Sequence, residues 1–198
     1  MNDLDLKAFV ITQNISCLVR FHNHVDVLFR KSVNEIKELP DKKESAYWEA
    51  VYKHQFPKDL RKAVFLMIFG HLEEMLHILS NKNASLRDMK RFGLDRYKPF
   101  VRHVLGQDLS RNQDWQFIQE MSRVRNILLH AAGRIAYARK PDELTALIKK
   151  HPECFGTSLD RVELTKVGLR ETANSASGLL LVINNALKKN DSTLLAAR

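Results

Sequence analysis

Cysteine is scarce in this chain of 198 residues: Cys17 and Cys154 are the two present, and no CxxC pair occurs. That removes a disulfide framework and a thiolate zinc site from consideration. Glycine and proline are also thin, at seven and five residues. With so few turn formers, and with apolar residues recurring every three or four positions, the pattern excludes a strand-rich architecture and predicts a nearly all-helical one. Long hydrophobic runs are missing too. The longest, AVFLMIFGHL at residues 63–72, is interrupted by Gly70 and His71 and followed by two glutamates, well short of the roughly 18 apolar residues that a membrane span needs. It reads as a buried helix. The start, MNDLDLKAFV, is acidic and amphipathic, with neither the basic opening nor the cleavage site of a signal peptide. A cytoplasmic location without membrane contact is the expectation.

Acidic residues are in deficit, with 23 Asp and Glu against 32 Lys and Arg and a formal net charge of +9. The distribution matters more than the total. Residues 85–140 hold twelve basic and five acidic side chains, so +7 of the +9 is concentrated there. Such a patch favours a polyanionic partner, RNA above all. The length suits one domain with a real core, spanning residues 1–198.

The spacing predicts a long first helix over residues 4–39, with a break near residues 20–23, and a short helix in SAYWEAVYKHQ that stops before Pro57. A strongly apolar helix follows to Leu79. The basic stretch SLRDMKRFGLDRYKPFVRHVLG offers two short pieces separated around Gly93 and Pro99. A further helix runs from Asn112 or Asp114, either of which supplies an N-cap, to Ala138. Pro141 opens another short helix, HPECFGTSLD is a loop, and a last helix covers residues 164–187 before a frayed KKNDSTLLAAR. No strand and no internal repeat is expected.

One stretch stands apart. RVRNILLHAAGR, residues 123–134, belongs to an amphipathic helix yet carries Arg125, Asn126 and His130 among leucines and alanines. At about 100° per residue, Phe117, Met121, Val124, Leu128, Ala131 and Ile135 form the core arc, while Gln119, Ser122, Asn126, His130 and Gly133 lie opposite, edged by Arg123 and Arg134. Asn126 and His130, four residues apart, stack on one face. Arg125 lies nearer the apolar side, flanked by Ile118 and Ala132. A guanidinium at that border needs an anionic or hydrogen-bonding partner, for instance a carboxylate such as Glu73. The small residues Ala131, Ala132 and Gly133 suit the close approach of a second helix, including that of a second copy across a two-fold axis.

Arg125-Asn126-Ile-Leu-Leu-His130 resembles the R-x4-6-H motif of HEPN domains, including the polar residue that often follows the arginine. The tryptophan-containing lead-in DWQFIQEMS, the small residues and glycine that follow, and the earlier apolar helix FGHLEEML with Glu73 are similar to the same family's pattern. The resemblance covers residues 58–187. It implies an all-α, HEPN-like up-and-down bundle with additional short helices, paired as a homodimer whose two motifs meet in a composite cleft. Many members are metal-independent ribonucleases, commonly toxins or antiviral effectors; others are non-catalytic modules that bind protein or nucleic acid. Both motif positions are intact here, which implies the active class.

The chemistry suits those residue types. RNA carries its own nucleophile, the 2′-hydroxyl, so cleavage requires removal of that proton, protonation of the departing 5′-oxygen and stabilisation of a charged phosphorane. No cofactor or metal is called for. Histidine can act as base or acid, which gives His130 and its copy in a dimer complementary roles. Arg125 grips the phosphate, Asn126 orients His130 or the phosphate, and Glu73 holds Arg125. Arg123 and Arg134 are additional RNA contacts. The expected target is single-stranded or loop RNA, tRNA or mRNA, in a toxin or phage-defence setting with a cognate antitoxin or defence-system protein as a further partner.

Other constellations carry less. HNH at residues 22–24 lacks the ββα-metal context of the nucleases of that name. Glu74-Met-Leu-His77 has the E-x-x-H spacing of di-iron bundles but no second copy. His71, His103 and His151 have no ligand partners at helical or finger spacing, and no phosphate loop, nucleophile elbow or cysteine nucleophile signature is present. Tyr47, Trp48 and Tyr52 offer faces for base stacking, but on a short amphipathic helix they are expected in the core.

Overall fold

Apolar side chains at helical spacing decide the architecture. The computed structural model describes the backbone of residues 3–196 and the side chains of residues 3–190. Among them are seven α-helices: α1 (Asp3–Lys37), α2 (Lys42–Ala50), α3 (Phe56–Leu79), α4 (Lys98–Leu105), α5 (Gln113–His130), α6 (Pro141–Lys150) and α7 (Lys166–Ala196). Strands β1 (Phe155–Ser158) and β2 (Arg161–Leu164) form one antiparallel hairpin between α6 and α7. The fold is an all-α bundle in which α3 and α7 are central, α3 packing on α1, α5 and α7.

The centre of the core is α3, which buries Val64, Phe65, Ile68, Phe69, Leu72, Met75, Leu76 and Leu79 at intervals of three and four residues. Phe65 and Phe69 pack edge to face with centroids 5.1 Å apart. Ile11 from α1, Ile118 and Met121 from α5, and Leu179 from α7 close around them, all fully buried. Removing apolar surface on this scale is the main force holding the helices together.

Several sequence expectations need correction. α1 does not break near residues 20–23: His22 turns inward, is buried, and pairs its Nδ1 with Asn23 Oδ1 at 3.0 Å, so the polar stretch stays helical. The SAYWEAVYKHQ helix does not stop before Pro57. It passes through a π-helical turn, Val51–Gln55, directly into α3, so Pro57 lies within a continuous helical path, and the wider turn just before it accommodates a residue with no N–H to donate. Tyr47 and Trp48 are exposed rather than core; with Tyr52, Phe29 and Phe56 they form a chain of edge contacts with centroids 4.9–6.5 Å apart.

The segment expected to be a loop contains β1, and the hairpin's turn residues Leu159 and Asp160 both have positive φ, at 49° and 61°. Both central residues in that region suit a tight hairpin. α7 continues beyond residue 187 to Ala196, tied by Lys188 Nζ to Asp5 Oδ1 at 2.6 Å; of the segment expected to fray, Ala197 and Arg198 lie outside the described residues. Pro141 opens α6 as expected, and Pro99 sits in the first turn of α4.

A buried carboxylate joins α1 to α7. Asp26 is 4% exposed, accepts from Arg30 Nε at 3.1 Å, and pairs with Lys166 Nζ at 2.7 Å. Burial pushes the Asp26 carboxyl up, but the hydrogen bonds from Lys166 and Arg30, followed by their charges, outweigh it and hold the group below the ordinary carboxylate value. A carboxyl with a lowered folded-state pKa contributes stability above its unfolded pKa of about 3.9, and that contribution is lost as pH falls through the folded value. Urea melts from pH 6 downward should therefore show stability declining below about pH 4, and Asp26→Asn should flatten the decline while lowering stability at neutral pH. An unchanged acid slope in the variant would contradict the assignment.

Candidate functional site

Helix α5 begins at Asn112, whose side-chain oxygen accepts from Trp115 N at 2.8 Å, one of the two caps expected. Its buried row is Trp115, Ile118, Met121, Val124 and Leu128. The arc is rotated slightly from the expected one: Phe117 is only half-buried, edge-on to His151 with centroids 5.5 Å apart, and Ala131 and Ile135 lie beyond the helix. Arg125 stands beside the buried row, its side chain 25% exposed. Its guanidinium reaches out of the core in two directions, with Nη2 3.4 Å from Glu73 Oε1 on α3 and Nη1 donating to Asn126 Oδ1 at 3.0 Å. The anionic partner that its position demanded is the one named from sequence.

α5 ends at His130, not at Ala138. Ala132 and Gly133 take positive φ values of 49° and 83°, reversing the chain, and Gly133 N donates back to Ile127 O at 3.0 Å. The hairpin then seals the helix end. Val162 N donates to Gly133 O at 2.9 Å, and Arg161 Nη1 donates to Ala132 O at 2.6 Å. A Cβ on Gly133 would lie 3.2 Å from Val162 O. The small residues after the motif thus admit β2 of the same chain; within the chain they do not receive a second helix.

Glu73, Arg125, Asn126 and His130 all line one cleft of about 350 Å³ between α3, α5 and the 3-10 turn Gly93–Tyr97. Asn126 and His130 are exposed along it, while Arg125 and Glu73 are half-buried. Among the cleft's further residues, none anticipated as a site residue, are Phe92, Asp95, Gln119 and Ser122. Gln119 Nε2 is buried without a hydrogen-bond partner, a free donor beside the motif. Phe92 is 84% exposed; its one sequence signal is an aromatic residue followed by glycine within the basic run KRFG.

The two flanking arginines go elsewhere. Arg123 lines an adjoining cleft of about 500 Å³ with Arg139, Lys140 and Glu143, and sits 3.8 Å from Glu143 Oε2. Asp95 and Asn126 border both clefts, so the two lie side by side. Arg134 lines neither; its guanidinium lies over Tyr137, 5.6 Å from the ring centroid.

The remaining histidines have separate occupations. His151 Nε2 lies 2.7 Å from Glu120 Oε2, and Lys150 Nζ lies 2.6 Å from Glu120 Oε1, which ties the end of α6 to α5. Burial pushes Glu120 up, yet these two hydrogen bonds hold it below the usual carboxylate range. His71 faces Glu74 at 3.6 Å and burial pushes its pKa down, whereas His77 Nδ1 meets Arg87 Nη1 at 2.9 Å. The E-x-x-H pair therefore does not converge. Cys154 is buried and its thiol is pushed up to about 12, first by desolvation, which keeps it unreactive. Among the described residues, no three His, Cys, Asp or Glu side chains are grouped to hold a metal ion, and no helix is long and apolar enough to cross a membrane.

Chemically, the cleft presents a permanently cationic planar donor with its orientation fixed by a carboxylate and an amide, plus an accessible imidazole. That set is suited to holding an oxyanion and moving a proton beside it. No family model, curated protein or solved structure matches the chain.

Proposed function

We propose that the protein is a metal-independent endoribonuclease of the HEPN type, acting as a homodimer in which two copies of the Arg125–His130 cleft face one phosphodiester. The observation that carries this reading is the Arg125 guanidinium, pre-oriented by Glu73 and Asn126 in a cleft that His130 borders. One imidazole removes the 2′-hydroxyl proton as the O2′–P bond forms. The other protonates the 5′-oxygen as the P–O5′ bond breaks, leaving a 2′,3′-cyclic phosphate and a 5′-hydroxyl end. Arg125 stabilises the extra negative charge on the phosphorane, Asn126 orients the imidazole or the phosphate, and Glu73 keeps the arginine in place. The basic residues of the adjoining cleft extend the grip along the strand. Arg123 is one of these, and Arg134 is a weaker contact outside both clefts. A toxin or phage-defence role, with tRNA or mRNA as target and an antitoxin or defence-system protein as regulator, fits this chemistry.

The second reading is a non-catalytic module of the same type. It is favoured by the Arg125–Glu73 ion pair, which a purely structural arginine would also make. Incubating purified protein with total RNA in excess EDTA separates the two. The enzyme yields fragments with 2′,3′-cyclic phosphate ends, and RNA left intact at micromolar protein would remove the catalytic reading.

A further inference from the structure

We infer that Phe92 is a stacking platform for an unpaired base, placed beside the guanidinium of Arg125, and that it restricts the cleft to single-stranded RNA. The inference rests on the ribonuclease reading only for the identity of the phosphate that Arg125 holds.

Phe92 lines the cleft of Glu73, Arg125 and His130, yet 84% of its surface is open to water, more than any aromatic residue in the core or on the α2 ladder. An isolated exposed phenylalanine is unremarkable; one at the mouth of a cationic cleft offers a flat apolar face where a polyanion arrives. The backbone that carries the ring is anchored on both sides. The next residue, Gly93, turns the chain at φ +56°, with its Cβ position 3.7 Å from Glu73 Oε1, so the turn rests on the carboxylate that holds Arg125. Leu94 anchors the following position in the core at 4% exposure. On the other side, Asp88 N donates to Arg96 O at 2.9 Å and Arg91 Nε donates to Asp88 Oδ2 at 2.9 Å, which closes the loop at its base. A loop held this way loses little backbone freedom when a base settles on the ring.

On the other side of Asp95 and Asn126 lies the neighbouring cleft lined by Arg123, Arg139 and Lys140. A single strand lying across both would set one base on Phe92, one phosphate at Arg125 and the next phosphates among these cations. Bases in a duplex have both faces covered by their neighbours and cannot stack on a protein ring without unpairing.

The test uses a 20-nucleotide oligoribonucleotide carrying 2′-O-methyl groups, which keeps bases and phosphates but removes the nucleophile, free or annealed to its complement. Phe92→Ala should weaken single-strand binding about tenfold, the scale of one base–aromatic stack, and leave duplex binding unchanged. Phe92→Trp should retain affinity, and its indole emission should be quenched by the single strand alone. Equal single-strand affinity in Phe92→Ala, an equal loss on both forms, or no binding by the wild-type chain would overturn the inference. Cleavage by the wild type alongside unchanged binding in Phe92→Ala would leave the enzyme reading standing and this one fallen; Phe92-dependent binding without cleavage would do the reverse.

Discussion

Alanine at His130 is expected to lower RNA cleavage at least a thousandfold, because in the proposed symmetric dimer one substitution removes both base and acid, each worth roughly 10²–10⁴. Arg125→Ala should cost about 10²–10³ through the loss of charge stabilisation at the phosphorane. The two variants should differ in their cause. His130 is exposed, is the last residue of α5 and makes no core contact, so its removal should leave the melting temperature and oligonucleotide affinity near wild type. Arg125 is half-buried against Glu73, so its loss leaves a half-buried carboxylate unpaired and should reduce binding as well. Both effects are read from EDTA-treated single-turnover assays with calorimetry alongside. EDTA-resistant cleavage that persists in either pure variant would remove that residue from the mechanism.

Gly168→Ala is expected to destabilise the fold by about 3 kcal/mol, the upper end of what overpacking costs. Gly168 lies in the first turn of α7, where its N–H donates to Thr165 Oγ1 at 3.0 Å and its carbonyl accepts from Thr172 Oγ1 at 2.7 Å. A Cβ there would fall 2.4 Å from the Cys154 carbonyl oxygen and 3.0 Å from Cys154 Cα. Leu164 Cδ1, at 2.9 Å, can turn aside, but the two Cys154 obstacles are backbone, so relief requires moving the entry to β1 off the helix. Gly178→Ala is the matched control. Its Cβ would meet Asp114 Oδ2 at 2.9 Å, the tip of a side chain that can turn aside, so it should change stability little. Urea denaturation of the two variants decides the point: similar midpoints would show that β1 yields more easily than its packing implies.

Much of the helical fold was legible because helix formation is local. Spacing of apolar residues locates α3 and the buried row of α5, and Asn112 and Pro141 mark helix starts that the structure retains. The motif residues were legible for the same reason, since a helix fixes Asn126 relative to His130 before any tertiary contact forms. Glu73 was named only as an example of a carboxylate for Arg125 and through the HEPN resemblance, since its meeting with Arg125 is a contact between two helices. What failed to show was set by tertiary packing. The hairpin has strands of four residues, too short for an alternation to register, and a turn of Leu159 and Asp160 in place of the usual Asn-Gly. The end of α5 moved from 138 to 130 because Ala132 accepts a left-handed conformation once β2 bonds to its carbonyl and the next. Phe92 was hidden because its relation to Arg125 exists only through the turn that sets Gly93 against Glu73.

Helix ends ordinarily fray, and a proton-transfer group on a final turn would wander with it. Here the carbonyls of Ala132 and Gly133, immediately beyond His130, are occupied by Arg161 and Val162. The freedom of that terminus is therefore surrendered when the chain first folds, and in the proposed enzyme the imidazole would meet its substrate from a mounting already still.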